Sequence, residues 1–173
     1  MYNLLLDSDA LIKLTYSKAI FMVCKTFNCL ITNEIKEETV EDGKKRFYPD
    51  ALVIEKLIRD NLVKIRDPKR KLSIKEDAQT EFGTKFIGFG KGEKSVLGLY
   101  HSTRNSIIVS DDSAFIKHLE DKNIQFFVPA DLIILLKKLN KISLKEATHF
   151  LDGIKVFIKE EVYNETKKEL KEV

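Results

Sequence analysis

Leu4-Leu5-Leu6-Asp7-Ser8-Asp9-Ala10-Leu11 is the stretch on which the reading of this chain turns. An apolar run without polar alternation suits a strand covered on both faces, as in a parallel sheet. The run ends at two aspartates around a serine, after which apolar residues return at helical spacing. Strand, acidic turn and helix together make the opening unit of an α/β fold.

The same pattern recurs along the chain. Segments 2–6, 28–31, 62–66, 106–109 and 124–128 are short apolar runs that read as buried strands. Between them, 9–23, 33–40, 50–60, 93–102 and 113–121 carry apolar residues three and four apart and read as helices. The alternation predicts a doubly wound domain, three layers α/β/α around a mostly parallel five-stranded sheet. Beyond Pro129 only helices are expected, over 130–139, 144–151 and 156–170, the middle one opened by a Ser143/Glu146 capping box. We divide the chain into an α/β domain over 1–130 and a helical extension over 131–173 packed on the same domain.

Composition narrows the chemistry. The 173 residues include 30 basic and 27 acidic side chains, and the 43% hydrophobic content is too high for a disordered chain. Two cysteines and three histidines leave no room for a disulfide scaffold or a Cys/His zinc ribbon, so a metal would have to be held by carboxylates. The N-terminal apolar run lacks a basic leader and stops at Asp7, and no run approaches the roughly 18 apolar residues of a membrane span. A cytoplasmic protein is the expectation.

Ligands of a doubly wound sheet bind where the strands end and the loops to the helices converge. Asp7, Ser8 and Asp9 follow the first strand; Thr32, Asn33 and Glu34 follow the second, with Glu38 a helical turn later; Ser110, Asp111 and Asp112 follow the fourth. Glu93 falls in the first turn of the helix that Gly88-Phe89-Gly90-Lys91-Gly92 opens. Any one of these could be a helix cap. The doubled acids exceed what capping needs, and converging carboxylates repel one another unless a cation lies between them. Oxygen ligands of this kind suit Mg²⁺ or Mn²⁺, one or two ions, which activate water for attack on a phosphodiester. Glu34 and Glu38 lie four apart on one helix face and either could be the inward-facing acid; the distance of Glu38 from the strand end favours it.

These residues carry a family resemblance. Leu4 to Leu11, Ile31-Thr32 with Glu38 following, Gly90-Lys91-Gly92-Glu93, and Ile108-Val109-Ser110-Asp111-Asp112-Ser113-Ala114-Phe115 resemble the motifs of PIN-domain nucleases over residues 1–130. The resemblance implies that Asp7, Glu38, Glu93 and Asp112 are the catalytic, metal-holding acids, with Asp111 as an auxiliary ligand. Ser8 would then orient the first acid and Ser110 would stand beside the fourth. It further implies a metal-dependent nuclease of single-stranded RNA, often the toxin of a toxin–antitoxin pair and commonly a homodimer. The chain departs from the pattern with Glu93 where aspartate is common and Asp9 where asparagine is frequent.

Basic residues supply the other half of an RNA site. Lys64, Arg66, Lys69, Arg70, Lys71 and Lys75 crowd one stretch, with Lys69, Arg70 and Lys71 at its centre as candidate phosphate contacts. Lys44, Lys45 and Arg46 form a second cluster, and Tyr48, Phe86 and Phe89 are candidates for stacking on bases. Two rival readings remain. One is a PIN-like module that binds RNA or protein without cutting. The other is a haloacid-dehalogenase-type phosphatase, which Asp7-Ser8-Asp9 echoes, although Ala10-Leu11 stands where that family has Gly-Thr.

Overall fold

The computed structural model describes residues 2–68 and 89–173. Five strands, β1 (Asn3–Leu6), β2 (Asn28–Ile31), β3 (Val63–Ile65), β4 (Ser106–Val109) and β5 (Phe126–Phe127), form one sheet in the order β3-β2-β1-β4-β5. Every pairing is parallel, so the sheet is more uniform than the mostly parallel one expected. β1 lies at the centre, and Leu4, Leu5 and Leu6 are buried, which is why its sequence lacks alternation. The chain winds outward from β1 through β2 to β3, then crosses back to β4 on the other side. The switch point therefore falls between the carboxyl ends of β1 and β4, whose following segments diverge and leave a crevice.

Helices cover both faces. One helix expected over 9–23 is two, α1 (Ser8–Tyr16) and α2 (Ile20–Thr26). Lys18 between them is left-handed, with φ 64°, and the Ser17 hydroxyl donates to Leu14 O and accepts from Ala19 N, replacing bonds that a continuous helix would make. After β2 come α3 (Asn33–Lys36), a π-helical turn over Glu37–Asp42, the single turn α4 (Gly43–Lys45), and α5 (Pro49–Arg59). α6 (Lys91–Ser102) packs on β1 and β4, and α7 (Ser113–Asp121) joins β4 to β5.

The chain ends in α8 (Pro129–Lys138), α9 (Leu144–Ile154) and α10 (Glu160–Glu172). α9 opens with the Ser143/Glu146 capping box, whose two side chains each accept the other residue's backbone N–H. α10 starts later than 156 because Lys155–Phe157 tightens into a 3₁₀ turn and Ile158 is extended. α8 and α9 pack on α1, and α8 also touches α2. Leu132, Ile133, Leu136 and Leu151 thus join Leu11 and Leu14 in one apolar cluster.

A glycine sits where α9 meets the corner between α1 and α2. A Cβ on Gly153 of α9 would lie 2.7 Å from Ser17 Cα and 3.1 Å from Ser17 Cβ, at the corner between α1 and α2. Alanine in an unconstrained helix interior gains about 1 kcal/mol over glycine, whereas forcing a methyl into a packed crossing loses about 1–3 kcal/mol. The clash is with backbone, which cannot swing aside, so overpacking should win. Gly153→Ala is expected to lower the urea midpoint; an unchanged or raised midpoint would mean that α9 is free to slide off the corner.

Candidate active site

Asp7 ends β1 and caps α1. Its backbone N–H donates to Val109 O of β4 at 3.1 Å, and its carboxylate accepts from Ala10 N at 2.7 Å. The end of β4 is built the same way. Asp112 caps α7 by accepting from Phe115 N at 2.7 Å, and its own N–H donates to Ser110 Oγ at 3.2 Å. The Ser110 side chain also lies beside the Asp7 carboxylate and favours its charged form. Two strands at the switch point thus end on capping aspartates bridged by one serine, so the capping role and a site role coexist in the same residues.

Burial raises the pKa of Asp7 to about 7; its side chain bonds with Ser110 and Ala10 pull the other way, and the charges of Asp111 and Asp9 add to the rise. Asp7 is 5% exposed. Asp111 is buried differently. Its Oδ2 pairs with Lys13 of α1 while its buried Oδ1 has no hydrogen-bond partner, and it is not among the residues lining the cavity.

The second segment reaches the crevice through the turn after β2. Thr32, fully buried, caps α3 by accepting from Ile35 N at 3.3 Å, and lies 2.6 Å from Ser95 Oγ of α6. Ser95 Oγ donates to Gly92 O at 2.7 Å, so the Thr32 hydroxyl must be the donor between the pair. This chain of bonds pins the start of α6 to the end of β2. Gly92 completes the approach: a Cβ there would meet Ile35 Cδ1 at 3.1 Å and Glu38 Oε2 at 3.3 Å. Glu38 accepts from Ser8 Oγ at 2.7 Å. Ser8 therefore holds Glu38 rather than the first acid, whereas Ser110 stands beside the fourth acid as expected, accepting from Asp112 N, and also lies by Asp7.

A cavity of about 470 Å³ opens at this edge of the sheet, lined by Asp7, Glu38, Glu93 and Asp112. Four separate segments thus meet at one site. Asp9, Glu34, Glu37 and Asp42 line it too, against Lys91 as the one cation among the described lining residues. Both Glu34 and Glu38 face the cavity, and the bond to Ser8 distinguishes Glu38. Glu37 and Asp42 were not foreseen from the sequence. Both lie in the π-helical turn that follows α3. Glu34, Glu38 and Asp42 recur every four residues and Glu37 is three after Glu34, so helical spacing carried the signal, but the helix expected over 33–40 stopped short of Asp42.

The donors are hard oxygens throughout and match Mg²⁺ or Mn²⁺ in type. Among the described residues no three of them stand close enough together to hold one ion. The fit is one of donor chemistry rather than finished coordination.

Most of the basic stretch lies beyond what the structure describes. Lys69, Arg70, Lys71, Lys75 and Phe86 lie outside the described residues. Lys64 Nζ donates to Asn28 Oδ1 at 2.9 Å, at the amino end of the sheet and away from the acids. Phe89 packs edge-on against Phe115, with ring centroids 5.6 Å apart, which commits it to the core. Tyr48 is exposed.

No helix of the described residues is long and apolar enough to cross a membrane. Neither the curated proteins nor the solved structures include a significant match to this chain. A family model described as a PIN domain matches residues 3–172, so the match runs through α8, α9 and α10 as well as the sheet. On that span, with the parallel sheet and the acids gathered at its switch point, the chain belongs to the PIN-domain family of nucleases.

Proposed function

We propose that this protein is a metal-dependent endoribonuclease that hydrolyses phosphodiester bonds of single-stranded RNA in the cytoplasm. The observation that carries the reading is the meeting of Asp7, Glu38, Glu93 and Asp112, from four separate segments, in one cavity at the carboxyl edge of the sheet. Asp7, Glu38, Glu93 and Asp112 would hold Mg²⁺ or Mn²⁺, which when bound supplies an activated water and offsets charge on the phosphodiester. Ser8 orients Glu38, and Ser110 fixes Asp7 against Asp112. Lys91, in the first turn of α6 beside the cavity, offers a cation to the phosphate. A homodimer and a protein antitoxin are the partners we infer from the family.

The buried Asp7 supports the same reading. Its folded pKa lies above the unfolded value, so in metal-free protein the folded state binds the extra proton between roughly pH 4 and 7. Stability is then greatest at low pH and falls as pH rises through about 7, with a full span of up to about 4 kcal/mol. A divalent cation beside the carboxylate reverses this preference.

Three outcomes follow. With Mg²⁺ or Mn²⁺ and a labelled single-stranded RNA, Asp7→Asn should reduce cleavage by at least about a hundredfold; undiminished cleavage would refute the mechanism, and absence of cleavage by wild type would favour a binding module. In EDTA, urea unfolding of wild type should show stability rising from pH 8 to pH 5, and Asp7→Asn should flatten that slope and be the more stable protein at pH 8. Glu38→Gln should impair cleavage more than Glu34→Gln, and the reverse order would exchange their roles.

A further inference from the structure

Among the described residues, four helices close with one hydrogen-bond pattern. α5, α7 and α8 end on Asn61, Asn123 and Asn140, with φ of 57°, 54° and 54°. In each, the asparagine N–H bonds the carbonyl three residues back, and the next N–H bonds the carbonyl five before it, as Leu62 N does to Leu57 O at 2.9 Å. This is the Schellman cap, whose left-handed position favours glycine and tolerates asparagine. α4 closes in the same way, Phe47 N to Lys44 O at 3.0 Å and Tyr48 N to Gly43 O at 2.9 Å. There the left-handed residue is Phe47, with φ 59°.

A bulky aromatic is the wrong residue for this position on fold grounds. Its Cβ crowds the backbone, and nothing is recovered by packing, because Phe47 is 92% exposed. The chain uses asparagine at three equivalent positions and an exposed phenyl ring at the fourth. That fourth cap adjoins the acidic cavity. Asp42 lines the cavity, and the bond to Gly43 O holds Tyr48 beside the very next residue. Strain of this sort, held in place by surrounding hydrogen bonds, is a mark of a working position.

We propose that Phe47 is a stacking platform for a nucleobase of the single-stranded RNA, with Arg46 as the neighbouring phosphate contact. The proposal rests on the ribonuclease reading and adds a substrate subsite to it. Lys45, Arg46 and Tyr48 are exposed around the ring, an interleaving of cations and aromatics that suits a strand with phosphates and bases. Lysine is depleted in the centre of protein interfaces, which makes the cap less suited to an apolar protein contact. A base finds a π-face at Phe47 whatever its identity, so this subsite would grip single strands without reading sequence.

Binding of a short fluorescein-labelled oligoadenylate, followed by anisotropy with Ca²⁺ in place of Mg²⁺, tests the proposal. Phe47→Asn restores the residue used at the other three caps and should unfold no earlier than wild type. It should nevertheless bind the oligonucleotide about five- to a hundredfold more weakly. Phe47→Trp should keep the affinity, and its indole, alone in a chain without tryptophan, should be quenched as the oligonucleotide binds. Equal binding and equal cleavage by wild type and Phe47→Asn would overturn the subsite and leave the nuclease standing. A fall in molecular mass by light scattering in Phe47→Asn, with affinity for the oligonucleotide unchanged, would also overturn it and make the ring part of a protein interface. Wild type that neither binds nor cleaves RNA would bring down the ribonuclease reading and the subsite together.

Discussion

The arrangement depends on a carboxylate placed at the end of the central, most buried strand. Asp7 follows Leu4, Leu5 and Leu6 without an intervening loop, so its side chain leaves the sheet at a depth where water scarcely reaches. A charged group there is tolerable only with hydrogen-bond donors or a cation beside it. Ala10 N and Ser110 supply donors, and both come from segments fixed by the β1–β4 pairing. These donors only partly offset the burial that raises the Asp7 pKa. The switch point of the sheet supplies the crevice, and the buried acid makes that crevice receptive to cations.

A second constraint brings the remaining acids in. α6 must start close to the end of β2, and the buried Thr32–Ser95–Gly92 bonds hold it there. At that distance a methyl at position 92 would press on the Ile35 side chain and on the Glu38 carboxylate, which would have to shift by a few tenths of an ångström. α3 packs on α6, and the π-helical turn over Glu37–Asp42 that continues it adds Glu37 and Asp42 to the cavity lining. Lys13 meanwhile takes up Asp111, which removes one negative charge from an already crowded edge. Geometry and electrostatics therefore select which of the many acids belong to the site.

The helices after Pro129 bear on the site from behind. α8 and α9 cover α1, the helix that Asp7 caps and from which Ser8 reaches Glu38. Gly153 lets α9 seat against the α1–α2 corner. Packing on the far side of α1 thus helps to fix the direction in which its first turn points.

The parallel α/β fold and the edge of the sheet where acids gather are legible in the chain before it is folded. Continuous apolar runs have no exposed face to alternate with, and acidic or hydroxyl residues directly after them mark strand ends, so both signals are local. Asp7 and Asp112 stood out for that reason, whereas Glu38 and Glu93, which follow no strand directly, were marked by the family resemblance; all four line one cavity. Tertiary structure alone decided the partners: Ser8 with Glu38, Ser110 with Asp7, and Lys13 with Asp111, each pair far apart in the chain and joined by the register of β1 against β4 and the seating of α6. It also decided that the helical segment after β2 runs on past residue 40, which brings Asp42 to the cavity beside Glu37. The break after α1 was hidden in a sequence with the right apolar spacing, since a left-handed Lys18 announces itself neither as glycine nor as asparagine. Local chemistry specifies which residues can end a strand or cap a helix; what those residues touch is settled only when distant segments pack.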